Sequence, residues 1–193
     1  MTLNATLYTL VEKQRLKLWQ PLNAATPHRY LFLTTIINQW IENLDTYAKV
    51  GRLSKNLTPR EQVDGFFDQY GRGSSLQTLE EVGMKPPFKR LNANGNYRLK
   101  VWEIRLTHVR LFGWFVRAGV FVAVVGKLSS EVHGIADTDP GSAGHQARSV
   151  ARWRTQAGFM SHDIYAGNQL DALLETPVPS PFRPSAAKRK KES

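Results

Sequence analysis

Apolar positions between Arg29 and Leu53 recur at helical spacing. Leu33, Ile36, Ile37, Trp40, Ile41 and Leu44 share one face, with Asn38, Gln39, Glu42 and Asn43 on the other. Thr26-Pro27 supplies a start signal and Gly51 a stop. Leu10, Leu18 and Trp19 predict an earlier amphipathic helix packed against this one, so residues 1–57 read as an N-terminal helical extension. The next helix opens at Thr58-Pro59-Arg60-Glu61, where Pro at the first helical position and Glu at the third make a capping box, and it runs through Tyr70. Gly71-Arg72-Gly73-Ser74-Ser75 follows. No strand precedes it and no Lys-Ser/Thr pair follows it, so it reads as a linker and not as a nucleotide loop. Leu76, Leu79 and Val82 predict one or two further helical turns, which Pro86-Pro87 halts.

The period then changes from helical to alternating. Tyr97, Leu99 and Val101 alternate with polar positions, and Trp102, Ile104 and Leu106 resume in the opposite phase. The shift at Val101-Trp102 predicts either a bulge or a strand buried on both faces. His108 to Val116 reads as a second strand, Arg117-Ala118-Gly119 as a tight turn, and the wholly apolar Val120 to Val125 as a third, central strand. Three strands joined by short connections predict an antiparallel meander. A helix is expected over His145 to Ala157, with Val150 and Trp153 inward and Arg148, Arg152 and Arg154 outward. From Pro177 onward the chain is rich in Pro and Ser, ends in Lys188-Arg189-Lys190-Lys191 and lacks the apolar residues needed to fold. These patterns give an α+β fold: an antiparallel sheet of three to five strands packed by helices on one face, with extra N-terminal helices. The expected division is an extension over 1–57, a domain over 58–160, and a C-terminal segment over 161–193 ending in a disordered basic tail.

Charge narrows the set of partners. The 193 residues carry 26 Lys+Arg against 16 Asp+Glu, a formal +10, which favours polyanions, nucleic acid before anionic membrane. The tail supplies +4 of that surplus, so the body is basic in its own right. With no cysteine there is no disulfide scaffold, no Cys-ligated zinc and no thiol catalysis. The longest apolar run, Leu111 to Gly126, is 16 residues long with Arg117 inside it, short of the roughly 20 apolar residues a spanning helix needs. It reads as a β-hairpin. The N-terminus has no signal-peptide pattern, and the expected location is cytoplasmic.

The stretch from Phe88 to Trp153 resembles the RelE/ParE superfamily of bacterial toxins, in its HigB-like and phage-derived branch. The resemblance rests on Phe88-Lys89-Arg90-Leu91, Val101-Trp102-Glu103-Ile104-Arg105, Val109-Arg110-Leu111-Phe112, the strand Val120 to Gly126, and a final helix carrying Ala147, Ala151 and Arg152. Val63, Phe66, Phe67, Leu76 and Leu79 stand where that family has an N-terminal helical hairpin. The resemblance implies a toxin of a toxin–antitoxin pair that cleaves mRNA in the ribosome without metal or cofactor, and a small helix-turn-helix antitoxin as its partner. It also admits a ParE-like topoisomerase inhibitor that performs no chemistry, or a basic nucleic-acid-binding protein on the same fold.

Cleavage of that kind needs a base for the 2′-hydroxyl, cations for the developing phosphorane and an acid for the leaving oxygen. Arg105 and Arg110 are the candidates for the phosphate, since a guanidinium fork holds two oxygens at once. His108, the only histidine inside the strand region, is the candidate for proton transfer, the task for which imidazole is the commonest side chain. Lys89, Arg90, Lys127, Arg148, Arg152 and the basic run Lys188, Arg189, Lys190 and Lys191 are the expected nucleic-acid contacts. The plainer alternative pairs Glu103 with Arg105, two apart on one strand face, and lets Arg110 snorkel from the sheet. The five histidines have no metal-ligand spacing, and no nucleophile elbow is present.

Overall fold

Thr34 decides the first half of the chain. Its hydroxyl accepts from the Ile37 N–H at 3.3 Å as a helix N-cap, and donates to the Val124 carbonyl at 3.3 Å across the sheet. One residue thus ends a strand and starts a helix. The computed structural model describes residues 3–20, 27–47, 57–74, 76, 87–91, 100–132, 139–159 and 174. Helix α1 (Leu3–Glu12) leads into β1 (Leu16–Trp19) and β2 (Tyr30–Thr34), then α2 (Thr35–Glu42), the short α3 (Leu44–Tyr47) and α4 (Pro59–Gly71). Strands β3 (Phe88–Arg90), β4 (Trp102–Arg105), β5 (Val109–Arg117) and β6 (Val120–Leu128) come next, then a 3-10 turn (Ser129–Glu131) and α5 (Ala143–Gln156).

The described strands form one sheet in the order β1-β2-β6-β5-β4-β3. Every neighbouring pair is antiparallel except β2 and β6, which run parallel from Tyr30↔Val120 to Leu33↔Ala123. The α+β class stands, but the sheet is mixed, has six strands where three to five were expected, and is covered on both faces. On one face α2, α3 and α4 bury Ile37, Ile41, Leu44, Val63 and Phe67 against Leu31, Leu33, Leu111, Phe115 and Phe121. On the other, α1 and α5 bury Leu7, Leu10, Ala147 and Val150 against Phe32, Phe112, Trp114 and Val122.

Residues 1–57 are not all helical, contrary to what their spacing predicts, but hold two strands of the sheet. Tyr30–Thr34 is buried at every position and forms a strand, and Leu18 and Trp19 lie in β1. A short apolar run is ambiguous between helix and strand, and this one continues into α2 without a breaker. The sheet of the 58–160 region therefore continues into the first 57 residues. Ile36, expected on the apolar face, is 71% exposed.

Elsewhere the local signals hold. Thr58 and Glu61 form the reciprocal capping box with Pro59 at the helix start. Gly119 takes φ +69° in the β5–β6 turn, and β6 lies inside the sheet. Val101 to Ile104 is buried throughout, with Val101 in one core and Trp102 in the other, as a strand buried on both faces requires. A register shift falls instead between Phe112 and Gly113 on β5. Arg154 does not face outward, contrary to what its helix position predicts. It is 7% exposed and lies over the Trp114 ring at 5.9 Å, and burial lowers its pKa. The expectations for Tyr97 to Leu99, Leu79, Val82 and the 177–193 tail lie outside the described residues.

Candidate nucleic-acid interface

Strand alternation sorts the predicted cations by face. Trp102 and Ile104 enter the core under α2 and α4, so Glu103 and Arg105 face the side of α1 and α5. Val109 and Leu111 enter the same core, which turns Arg110 to that side as well. The register then pairs Arg105 with Arg110 and Arg110 with Lys127, one row across β4, β5 and β6. Directly opposed residues on one face stand with Cβ atoms about 5 Å apart. Lys89 lies opposite Glu103 and joins this face, whereas Arg90 lies opposite Trp102 and is excluded from it.

Like charges side by side need a counter-ion, and Glu103 is that group. It is 5% exposed, and its Oε1 stands 3.4 Å from Arg110 Nε. Burial raises the Glu103 pKa, and the charges of Arg110, Lys89 and Arg105, in that order, oppose the rise. The predicted pairing of Glu103 with Arg105 is therefore shared, with Arg110 holding the direct contact. A diagonal neighbour across the sheet wins over the residue two along the same strand. Arg110 also donates from Nη1 to the Leu106 carbonyl and, at 2.9 Å, to the Val109 carbonyl. Its fork is largely committed to its own turn and to Glu103.

That turn, Leu106-Thr107-His108, is pinned from both sides. The His108 N–H donates to Gln62 Oε1 of α4 at 3.1 Å, and its carbonyl accepts from the Ser129 N–H at 2.8 Å. Ser129 Oγ donates to the Thr107 carbonyl at 3.1 Å. His108 thus sits in the turn that joins the strands of Arg105 and Arg110, fixed by its main chain.

Arg148 and Arg152 are exposed on α5, as expected. Arg152 and Lys127 both line a groove of about 400 Å³. The groove opens where β2 stops and α2 turns away, leaving Val124 to Lys127 as its floor between α2 and α5. Trp40 lines one wall and Trp153 the other. Spacing puts Trp40 among the core positions, and its neighbourhood with Lys127 and Arg152 gives it a second role. Arg152-Trp153-Arg154 alternates cation and indole along the chain, but Trp40 stands 87 positions before Lys127 and 112 before Arg152, so spacing does not join them. Lys188, Arg189, Lys190 and Lys191 lie outside the described residues.

Among the described residues no helix is long and apolar enough to cross a membrane, and no group of three His, Asp or Glu stands where it would hold a metal ion. Comparison with protein-family models, with curated proteins and with solved structures found no match.

Proposed function

We propose that this protein acts on RNA, as a toxin-like protein of the RelE/HigB kind that holds ribosome-bound mRNA on the Arg105–Arg110–Lys127 row and cleaves it. The observation that carries the reading is the row itself: three cations on three adjacent strands, with Lys89 beside them and one buried carboxylate beneath. A pentavalent phosphorane needs convergent positive charge held before the reaction begins, and a sheet fixes such charge better than a loop does. In this scheme Arg105 and Lys127 take the phosphate oxygens and Arg110 holds Arg105 in place through Glu103. His108 takes the proton of the 2′-hydroxyl as its oxygen bonds to phosphorus and gives that proton to the 5′-oxygen as the P–O5′ bond breaks, leaving a 2′,3′-cyclic phosphate. The order of elements, helix α4, the β4–β6 meander and α5, is consistent with the resemblance in the sequence. A small helix-turn-helix antitoxin and a cytoplasmic site of action belong to the same proposal.

A second reading is favoured by one feature. Arg110 spends its donors on Leu106, Val109 and Glu103, which suits a protein that binds RNA and performs no chemistry. Pulse labelling after induction in bacteria separates the two. Arrested amino-acid incorporation with mRNA cut at codon boundaries is the expected result. Arg105→Lys, which keeps the charge and loses the fork, should then fold normally and lose toxicity by on the order of tenfold or more. Normal growth with retained RNA binding selects the second reading. An early halt of DNA synthesis would show a ParE-like, topoisomerase-directed protein, and the proposal fails.

A further inference from the structure

We infer that the groove between α2 and α5 receives one nucleotide of a single-stranded RNA, its base against Trp40 and Trp153 and its phosphate on Lys127 and Arg152. This deepens the RNA reading above and rests on it.

Three features of the groove carry the inference. First, Lys127 belongs to both sites. It ends the cross-strand row at Arg110 and it lines the groove, so a strand whose phosphates follow the row is delivered to the groove mouth. Neighbouring strands are about 4.8 Å apart, so Arg105 to Lys127 spans about 10 Å, with Arg152 beyond it on α5. Second, the lining has the composition that single-stranded nucleic acid requires. Two indoles and the 71% exposed Ile36 offer apolar and aromatic surface, two cations stand among them, and among the described residues no carboxylate lines the groove. Ser149 and Gln156 supply hydrogen-bonding groups for a base edge. The charge complements a phosphodiester and repels a basic peptide.

Third, the aromatic walls are held before any ligand arrives. A Cβ on Gly126 would meet Trp40 Cε3 at 2.3 Å, so the indole lies directly on the bare main chain of β6. Trp153 is fixed by Trp114, with ring centroids 5.9 Å apart, and by the Arg15 guanidinium 5.7 Å from its own centroid. Fixed walls cost little ordering entropy on binding. The volume of about 400 Å³ is of small-ligand size. It suits one unstacked nucleotide, whereas a duplex keeps its bases stacked inside and offers only backbone.

The test compares a labelled single-stranded oligoribonucleotide of about 12 nucleotides with the duplex of the same sequence, by fluorescence anisotropy on the full chain. Ile36→Glu puts a carboxylate on the groove rim at an exposed position that does not disturb the core. Arg152→Gln removes one cation from an exposed helix face. Both variants should lose on the order of tenfold in single-strand affinity, while duplex affinity changes by less than about twofold. Trp40→Phe, which keeps an aromatic on Gly126, should keep most of the single-strand affinity.

If both charge variants bind the single strand as the unaltered chain does, while Arg105→Gln weakens it, the groove assignment is overturned and the RNA reading survives. Equal affinity of the unaltered chain for single strand and duplex also overturns it. Failure of the unaltered chain to bind any RNA overturns the reading beneath it. An acidic peptide that binds in a manner sensitive to Ile36→Glu, with no such sensitivity for RNA, would give the groove to a protein partner and overturn the inference.

Discussion

Glu103 is the residue whose cost the rest of the row offsets. A carboxylate in a nearly closed site loses its hydration, and the Arg110 contact at 3.4 Å restores only part of it. Burial leads and raises the pKa, while Arg110, Lys89 and Arg105 pull it back. The sign of the pH effect follows. A carboxyl whose pKa is higher folded than unfolded takes up a proton on folding in that window. Its contribution to stability is fully present below the unfolded pKa, about 4.3, and is lost as pH rises through the folded value. Glu103→Gln removes the titration and keeps the shape. Relative to the unaltered chain, the variant should therefore gain stability as pH is raised from about 4 toward 7. Chemical denaturation at several pH values measures this. A shift in the opposite sense would mean that the three cations outweigh burial, and that Glu103 is a net stabilising partner at neutral pH.

Elements form here for reasons of unequal reach. Helix α4 is local: Thr58, Pro59 and Glu61 close its start within four residues, so the sequence alone locates it. The β5–β6 hairpin is local too, because Gly119 supplies the positive φ of its turn. Strand β2 is not. Its parallel partner β6 lies some ninety positions later, and nothing within Tyr30–Thr34 distinguishes it from the first turn of α2. Thr34 makes the break, through a hydroxyl bond to Val124 that no spacing rule contains. The same division runs through the site. Arg105 and Arg110 could be paired from the short connection between their strands, but the diagonal choice of Arg110 by Glu103 depends on register. Arg154 read as outward because its helix face is basic, and Trp114 on β5 draws it in. The register shift at Phe112/Gly113 gives a paired test at this scale. A Cβ on Gly113 would stand 2.0 Å from the Val122 carbonyl oxygen and 2.8 Å from Phe121 Cζ, with main chain on one side that cannot yield. Gly113→Ala should cost about 3 kcal/mol or more by overpacking. Gly65, in the middle of α4, has nothing within 4 Å of its Cβ position, and Gly65→Ala should instead stabilise by up to about 1 kcal/mol. Urea denaturation of the two variants reads both signs; two equal effects would refute the steric account of Gly113.

Taken whole, the molecule carries +10, and two groups of its 26 Lys and Arg residues differ in setting. The sheet row and α5 hold cations at fixed separations, where they can select a geometry. The run Lys188 to Lys191 places four cations within four residues at the C-terminal end of the sequence, with almost no apolar neighbours. Cations of either kind that neutralise phosphates release counterions, so both steepen the fall of affinity with salt, by about 0.7 per phosphate contact on a single strand. The cations on the sheet and α5, which border the groove, are the ones expected to distinguish single strand from duplex. Deleting residues 188–193 is therefore expected to flatten the log–log salt dependence of RNA binding by up to about three, for four lost contacts. The ratio of single-strand to duplex affinity should stay as it was. Lys127→Gln should do the reverse: a change of slope of about 0.7, together with a clear fall in that ratio. Titrations of both variants against both RNAs across a range of salt concentrations give all four quantities. If the tail deletion leaves the slope unchanged, the basic run does not touch RNA, and the affinity resides in the folded face alone. If instead the deletion abolishes the preference for single strands, selectivity belongs to the tail, and the fixed row is only a charged surface.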